Sequence, residues 1–329
     1  MSLVAIEDLS VSYGRTEALR AVALDLAAGT SLGLVGESGS GKTTLALALL
    51  GLLPKAGRVE RGKIQFDGVD LLTLPPQELR KRRWVDLAYV PQGAMNALDP
   101  VRDLLHQFEA TQRAHRDGSA KARAITLFER VGLEQSWLRR FPHEFSGGMR
   151  QRATIALAML FEPRLLIADE PTTGLDVLVQ RQVLDLLREA RREKGMAMLF
   201  VSHDIAIIAE LCDQIAVLYA GELVEAGATA RVLDQPAHPY TMGLRRAVPD
   251  IRFPDRQILS IDGVPPSLAP PPTGCAFAAR CPFAQPRCQA ESPVARALDD
   301  GRRVACHRAD EAAELWQLAQ SQEIWRRAS

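Results

Sequence analysis

The chain has 329 residues, 47% of them apolar, and its 40 basic and 40 acidic side chains cancel. That length suits two domains or one large domain with an appendage, and a sizeable core is within reach; the neutral balance shows no basic stripe of a nucleic-acid binder. The start, with Glu7 and Asp8, lacks a secretory pattern, and the longest apolar run, 44–54, is too short to span a bilayer, so a soluble cytoplasmic chain is expected, whose five cysteines are not structural disulfides.

Residues 3–6 and 21–26 read as strands, with Tyr13 and Gly14 in the turn region between them. Tyr13 is a lone aromatic there, either half-buried against the first sheet or a flat platform for an adenine ring. A short apolar strand at 31–35 leads into Gly36-Glu37-Ser38-Gly39-Ser40-Gly41-Lys42-Thr43-Thr44, and strong helix formers follow at 45–50. These residues fit the phosphate-binding pattern G-x-x-x-x-G-K-[ST] in the strand–loop–helix setting it needs. Glycine lets the backbone wrap phosphate oxygens that a Cβ would hold off. The loop N–H groups and the helix N-terminus favour negative charge. Lys42 would reach the β- and γ-phosphates, and the Thr43 hydroxyl would ligate Mg²⁺. The bland alternative is a glycine-rich turn joining a strand to a helix.

Residues 63–68 alternate and end in Asp-Gly, a strand and its turn. Another strand, 87–92, is stopped by Pro91 and leaves Gln92 just past its end, where ligands of α/β sheets gather; a lone Gln is also a common solvated loop residue. From about 101 to 141 the texture is helical, with helices over 103–115 and 119–131, an insert within an α/β domain. Ser146-Gly147-Gly148 then precedes a helix over 153–161, as a second anion site or as a serine cap with a flexible lead-in. An apolar strand, 164–170, ends in two acids. With a phosphate loop upstream, Asp169 suits the Mg²⁺ shell and Glu170 an attacking water.

An amphipathic helix follows at 177–192, then a buried strand at 197–201 closed by Ser202-His203-Asp204, with Asp204 capping a helix over 205–211. His203 is either structural or within reach of a γ-phosphate. Residues 214–219 and 222–225 form a hairpin around Ala220-Gly221, and Cys212 is a core residue. A boundary falls near Gln235-Pro236. The proline-rich run 265–272 is a stiff connector into Cys275, Cys281, Cys288 and Cys306.

In this order the marks resemble the ATP-binding subunit of an ABC transporter, over roughly residues 1–235. Gly36 to Thr43 matches the Walker A motif, Gln92 the Q-loop, and 165–170 Walker B with Glu170 as its catalytic acid. Ser146-Gly147-Gly148-Met149-Arg150-Gln151 matches the signature, with Met149 where most members have Gln. Asp176 matches the D-loop, His203 the switch histidine and Tyr13 the A-loop aromatic. His238-Pro239-Tyr240-Thr241 and the proline-rich tail with four cysteines are similar to the subunits that power oligopeptide, dipeptide and nickel importers.

The resemblance implies an α/β fold: a P-loop NTPase (RecA-like) core with an antiparallel β subdomain and an inserted α-helical subdomain at about 93–163. This ABC domain would cover 1–235, and a C-terminal cysteine-containing extension 236–329. The implied activity is hydrolysis of ATP to ADP and phosphate, powering import of di- or oligopeptides. A nickel or oligosaccharide importer, or a non-transport ABC ATPase, is the alternative. Implied catalytic residues are Lys42, Gln92, Glu170 and His203. Tyr13, Gly36, Glu37, Ser38, Gly39, Ser40, Gly41, Lys42, Thr43 and Thr44 would bind nucleotide, as would Ser146, Gly147, Gly148 and Asp176. Thr43, Gln92 and Asp169 would hold Mg²⁺. Two such subunits sandwich ATP, so Lys42 and Ser146 of one chain would serve different nucleotides.

Implied partners are a second homologous ATP-binding subunit, two transmembrane permease subunits and, indirectly, an extracytoplasmic substrate-binding protein, with no nucleic acid. The chain would sit peripherally on the cytoplasmic face of the cell inner membrane. Its helical insert and the loop Gly93-Ala94-Met95-Asn96-Ala97-Leu98 would dock the membrane subunits. The intact acid pair argues against a binding-only regulator. The short insert argues against a chromosome-organising ATPase, the single Walker A against a ribosome-acting protein, and the lack of a fused span against an exporter half.

The four late cysteines are spaced x₅, x₆ and x₁₇. Four thiols on a loop-rich segment with little core suggest a metal staple. The spacings are wider than those of zinc ribbons, and Cys281 precedes a proline as in some cluster motifs. Some importers that this chain resembles hold a [4Fe–4S] cluster in this region. A structural [4Fe–4S] cluster on Cys275, Cys281, Cys288 and Cys306 is therefore expected. Zn²⁺ with His307 in reserve, and four free thiols in a small hydrophobic knot, are the alternatives.

Overall fold

A computed structural model describes residues 2–93, 97–248 and 261–326. It divides into two compact units, one of residues 1–3, 26–31 and 70–201, the other of residues 4–25, 32–69 and 202–329. The class is α/β, as the alternation of apolar strands with helical segments predicts.

In the first unit the strand Leu165–Asp169 lies between Leu87–Val90 and Ala197–Val201 and is parallel to both. Every residue of Leu165–Asp169 and Ala197–Val201 is buried. Such continuous apolar runs are what a parallel sheet covered on both faces requires. The helical stretch is present as Leu104–His115, Lys121–Arg130 and Gly147–Ala158. Asp103 caps the first, its carboxylate accepting from the His106 N–H at 2.8 Å. Phe108 and Phe128 meet edge to face between the first two, with ring centres 5.8 Å apart.

The third of these helices starts at Gly147, earlier than the spacing predicts. Glycine is a poor helix former, and that hides the first turn in the sequence. The cap overrides it: the Ser146 side chain accepts from the Met149 N–H at 3.3 Å.

In the second unit the strand Ser31–Val35 runs parallel to Gln214–Tyr219. That strand turns through Ala220 and Gly221, both at positive φ, into the antiparallel Glu222–Ala228. Glu222–Ala228 in turn pairs with Arg303–Val304, which pairs with Arg296–Ala297. The late cysteine-containing segment thus adds two short strands to the sheet edge of this unit. A second sheet places Ser2–Tyr13 between Thr16–Ala27 and Gly57–Phe66. Its first two strands are longer than 3–6 and 21–26, the lengths legible in the alternation. A register shift between Glu7 and Val11, with Asp8 at positive φ, breaks the period of two that the reading relies on.

Candidate nucleotide site

Of the residues expected at the site, Tyr13, the 36–44 loop and His203 belong to the second unit, and Gln92, Ser146, Gly147, Gly148, Asp169, Glu170 and Asp176 to the first. In the second unit the buried strand Ser31–Val35 delivers the chain to the loop, and the helix Lys42–Leu50 carries it away. Gly41 caps that helix in a left-handed conformation, with no side chain covering the first N–H groups. That is the arrangement an anion site needs. At Gly36 a Cβ would lie 2.2 Å from the Leu218 carbonyl oxygen and 2.6 Å from Ser40 Oγ. Backbone cannot yield that far, so Gly36→Ala is expected to reshape the loop and weaken nucleotide binding by more than about tenfold. A nucleotide titration beside a melting curve checks it, and unchanged affinity would remove this account of Gly36.

Lys42 is buried, and its ammonium lies inside the loop, donating to the Gly36 carbonyl at 2.8 Å and the Glu37 carbonyl at 2.9 Å. Tyr13 ends its strand with its hydroxyl 3.5 Å from Thr44 Oγ1, a long contact that places the ring at the flank of the same loop. Ser202 donates its N–H to the Leu34 carbonyl at 3.1 Å, which sets the exposed His203 at the end of the strand that feeds the loop. Asp204 accepts from the Ala206 N–H at 2.8 Å as the expected cap.

In the first unit Asp169 is fully buried at its strand end and accepts from the Tyr89 hydroxyl at 3.2 Å. Burial and the Asp169 charge push the Tyr89 phenol up, which keeps it a donor to that carboxylate. Glu170 takes a left-handed backbone conformation just past the strand. Its Oε2 accepts from Gln92 Nε2 at 3.0 Å and from Thr173 Oγ1 at 3.0 Å. Gln92 and Glu170, each expected to be catalytic, are thus hydrogen-bonded to each other. Tyr89 and Thr173 were not anticipated. The signal for Tyr89 was one hydroxyl in an otherwise apolar strand, three residues before Gln92.

Asp176 caps the helix Val177–Lys194, accepting from the Val179 N–H at 3.0 Å. A Cβ on Gly148 would lie 2.6 Å from Val179 Cγ1, so the Ser146-capped helix and the Asp176-capped helix meet at a contact that only glycine permits. Val177 and Leu178 beside it stand exposed.

The donor set suits a magnesium nucleotide. The loop packs so tightly that a Cβ at Gly36 would overfill it, and it holds a buried ammonium. The Thr43 hydroxyl beside it is a hard oxygen of the kind that Mg²⁺ selects, and so, within the first unit, is the Asp169 carboxylate.

The cysteine region corrects an expectation. Cys275, Cys281, Cys288 and Cys306 line one cavity of about 20 Å³ with Phe277, Phe283 and His307. Among the described residues, however, no group of three or more His, Cys, Asp or Glu side chains could hold a metal ion. Burial pushes the Cys275 thiol up to about 12 and the Cys306 thiol to about 11, and it raises Cys281 as well. A metal ligand must be a thiolate, and burial in apolar company disfavours that form at Cys275, Cys281 and Cys306. His307 is turned to the Glu291 carbonyl at 2.9 Å. Neither the [4Fe–4S] cluster nor zinc is supported among the described residues.

Fold and site together define the class, the ATP-hydrolysing cassette of ABC transporters. The ABC transporter family model matches residues 19–173, and the model for the oligopeptide/dipeptide transporter C-terminal region matches residues 224–288. The chain belongs to the ABC transporter ATP-binding family, in its oligopeptide/dipeptide branch. It is 40% identical over 316 residues to the dipeptide transport ATP-binding protein DppD of Escherichia coli, covering 93% of this chain and 97% of that protein. To the oligopeptide transport ATP-binding protein OppD of Salmonella typhimurium it is 40% identical over 314 residues, covering 92% and 93%. Among solved structures, cbiO1 of Clostridium perfringens, part of the ABC transporter complex cbiONQ, superposes with a TM-score of 0.62 at 25% identity, covering 71% of this chain and 91% of that one. A dimeric ATP-binding cassette in a post-hydrolysis state with ADP and Pi does so at 0.62 and 27%, covering 69% and 98%.

Proposed function

We propose that this chain hydrolyses ATP to power import of di- or oligopeptides through a membrane ABC transporter. The observation that carries this reading is near full-length similarity, including the C-terminal region, to subunits described as dipeptide and oligopeptide transport ATP-binding proteins. On this reading residues 1–235 form the ATP-binding domain, with its helical subdomain at about 93–163, and 236–329 the extension. Lys42 and the loop N–H groups hold the β- and γ-phosphates, and Tyr13 carries the adenine. Thr43, Gln92 and Asp169 would hold the metal. Bound Mg²⁺ supplies charge neutralisation at the transferring phosphoryl group. Glu170, held by Gln92 and Thr173, takes the proton of the attacking water, and His203 steadies the γ-phosphate side. Ser146, Gly147, Gly148 and Asp176 face the nucleotide of a homologous second subunit.

Two permease subunits complete the assembly, fed by an extracytoplasmic binding protein, with this chain on the cytoplasmic face. Among the described residues no helix is long and apolar enough to cross a membrane. In the first unit a groove of about 830 Å³ lined by Pro100, Val101, Arg139, Arg140 and Phe141 suits a permease segment, since Val101 is 78% and Phe141 39% exposed. Of the expected docking loop, Ala94, Met95 and Asn96 lie outside the described residues. Val101→Asp with Phe141→Asp is expected to cut co-purification with the permeases severalfold and to leave MgATP binding intact. Undiminished co-purification would move the docking site elsewhere.

The decisive experiment reconstitutes the chain with a cognate permease pair and binding protein and measures ATP-dependent uptake of labelled di- and oligopeptides. Uptake of nickel or an oligosaccharide alone would overturn the cargo. Hydrolysis without any vectorial uptake would overturn the transport role.

A further inference from the structure

Glu37, second in the phosphate loop, is expected to bind nucleotide only as one residue of that loop, yet it is held at several atoms. Its carbonyl accepts from Lys42. Its N–H donates to the Tyr240 hydroxyl at 3.0 Å. Its carboxylate straddles Arg280 Nη1 at 3.1 and 2.9 Å. Both grips come from the other side of the expected domain boundary, and Arg280 is 243 residues away in sequence.

Arg280 is itself fixed, with its side chain only 7% exposed. Besides Glu37, its Nη1 donates to the Tyr219 hydroxyl at 3.1 Å, its Nε to the Asp262 carbonyl at 2.9 Å and its Nη2 to the Ile261 carbonyl at 3.0 Å. Its guanidinium carbon sits 5.7 Å from the Tyr219 ring centre and 6.0 Å from that of Phe277. Tyr240 is wholly buried against the same two rings, at 4.5 and 5.4 Å. A planar fork can reach a carboxylate, a phenol and two carbonyls in different directions; an ammonium cannot.

We infer that the C-terminal extension is a brace for the phosphate loop, with Arg280 and Tyr240 as positioning residues for nucleotide binding through Glu37. A loop of glycines and serines has much backbone freedom to lose when it closes on phosphate. Fixing residue 37 before nucleotide arrives removes part of that cost, which is preorganisation. It also fixes where the Lys42 ammonium rests, because that ammonium hangs on the carbonyls of Gly36 and Glu37. The inference rests on the reading of 36–44 as a nucleotide site.

The test is MgATP binding by the full chain, with KM and kcat in the assembled transporter. The variants are Glu37→Gln, Arg280→Lys, Arg280→Ala, Tyr240→Phe and the double variant Glu37→Gln with Arg280→Ala. Each change at Glu37 or Arg280 is expected to weaken binding about tenfold, with the double variant no weaker than its worse parent, because neighbours in one network do not add. KM should rise while kcat at saturating MgATP holds. Tyr240→Phe should cost a fewfold. If Arg280→Ala does not fold, the milder Arg280→Lys and Glu37→Gln carry the decision. Unchanged affinity in those two, with only a lowered melting temperature, would leave Arg280 a merely structural residue and overturn the brace, as would additive losses in the double variant. A wild-type chain with no affinity for MgATP would overturn the nucleotide reading itself, and the inference with it, without reference to any variant.

Discussion

Glu170→Gln is expected to stop ATP turnover and to leave MgATP binding near the wild-type level. The carboxylate is the group placed to accept a proton from the attacking water, and a positioned general base contributes about 10²–10⁴ to rate. Glutamine has the same reach and shape, so the left-handed backbone at 170 and the N–H bond to the Val201 carbonyl at 2.9 Å should persist. The uncharged amide can still face Thr173 and Gln92, the two groups that orient the carboxylate. It cannot take a proton. Single-turnover hydrolysis in the assembled transporter, beside a nucleotide titration, separates the two effects. Hydrolysis at the wild-type rate would sink the role given to Glu170, and joint loss of binding and turnover would mean that Glu170 shapes the site instead.

Much of this was legible in the sequence, because the chemistry is written in short contiguous runs. The 36–44 loop shows itself by spacing, and the strands on either side of the Asp169–Glu170 pair by continuous apolar runs. Asp204 caps its helix as expected, and Asp103 and Asp176, read as a helix residue and a loop residue, turn out to be caps as well. What escaped depends on residues far apart in the chain. Nothing local at Glu37 points to an arginine 243 positions later. The need for glycine at 148 comes from a methyl of Val179, which only the packing shows. The cysteine spacing did identify four residues that share one cavity, but spacing says nothing about protonation. The apolar surroundings that disfavour the thiolate at Cys275, Cys281 and Cys306 are a property of the fold.

Lys42→Ala differs in kind from Glu170→Gln, because it is expected to lower binding and turnover together. In the folded chain the Lys42 ammonium is buried and held by the carbonyls of Gly36 and Glu37. Burying an ammonium is costly, and its two carbonyl partners offset that cost. Truncation removes the cost of burying the charge but leaves the two carbonyls without that donor, effects of opposite sign, so the stability of the nucleotide-free chain should move little. The nucleotide-bound state loses a cation from beside the phosphates, where charge-assisted bonds are strong. Linkage makes the difference measurable. At a nucleotide concentration a hundredfold above Kd, the wild-type chain gains about 2.7 kcal/mol of stability. A variant whose Kd is about a hundredfold weaker gains only about 0.4 kcal/mol at that concentration. A thermal melt with and without MgATP should therefore show a clear upward shift for the wild type and almost none for Lys42→Ala, from similar starting points. A variant that starts far lower would make Lys42 a structural residue of the loop, and a full nucleotide-dependent shift would remove it from the phosphate site.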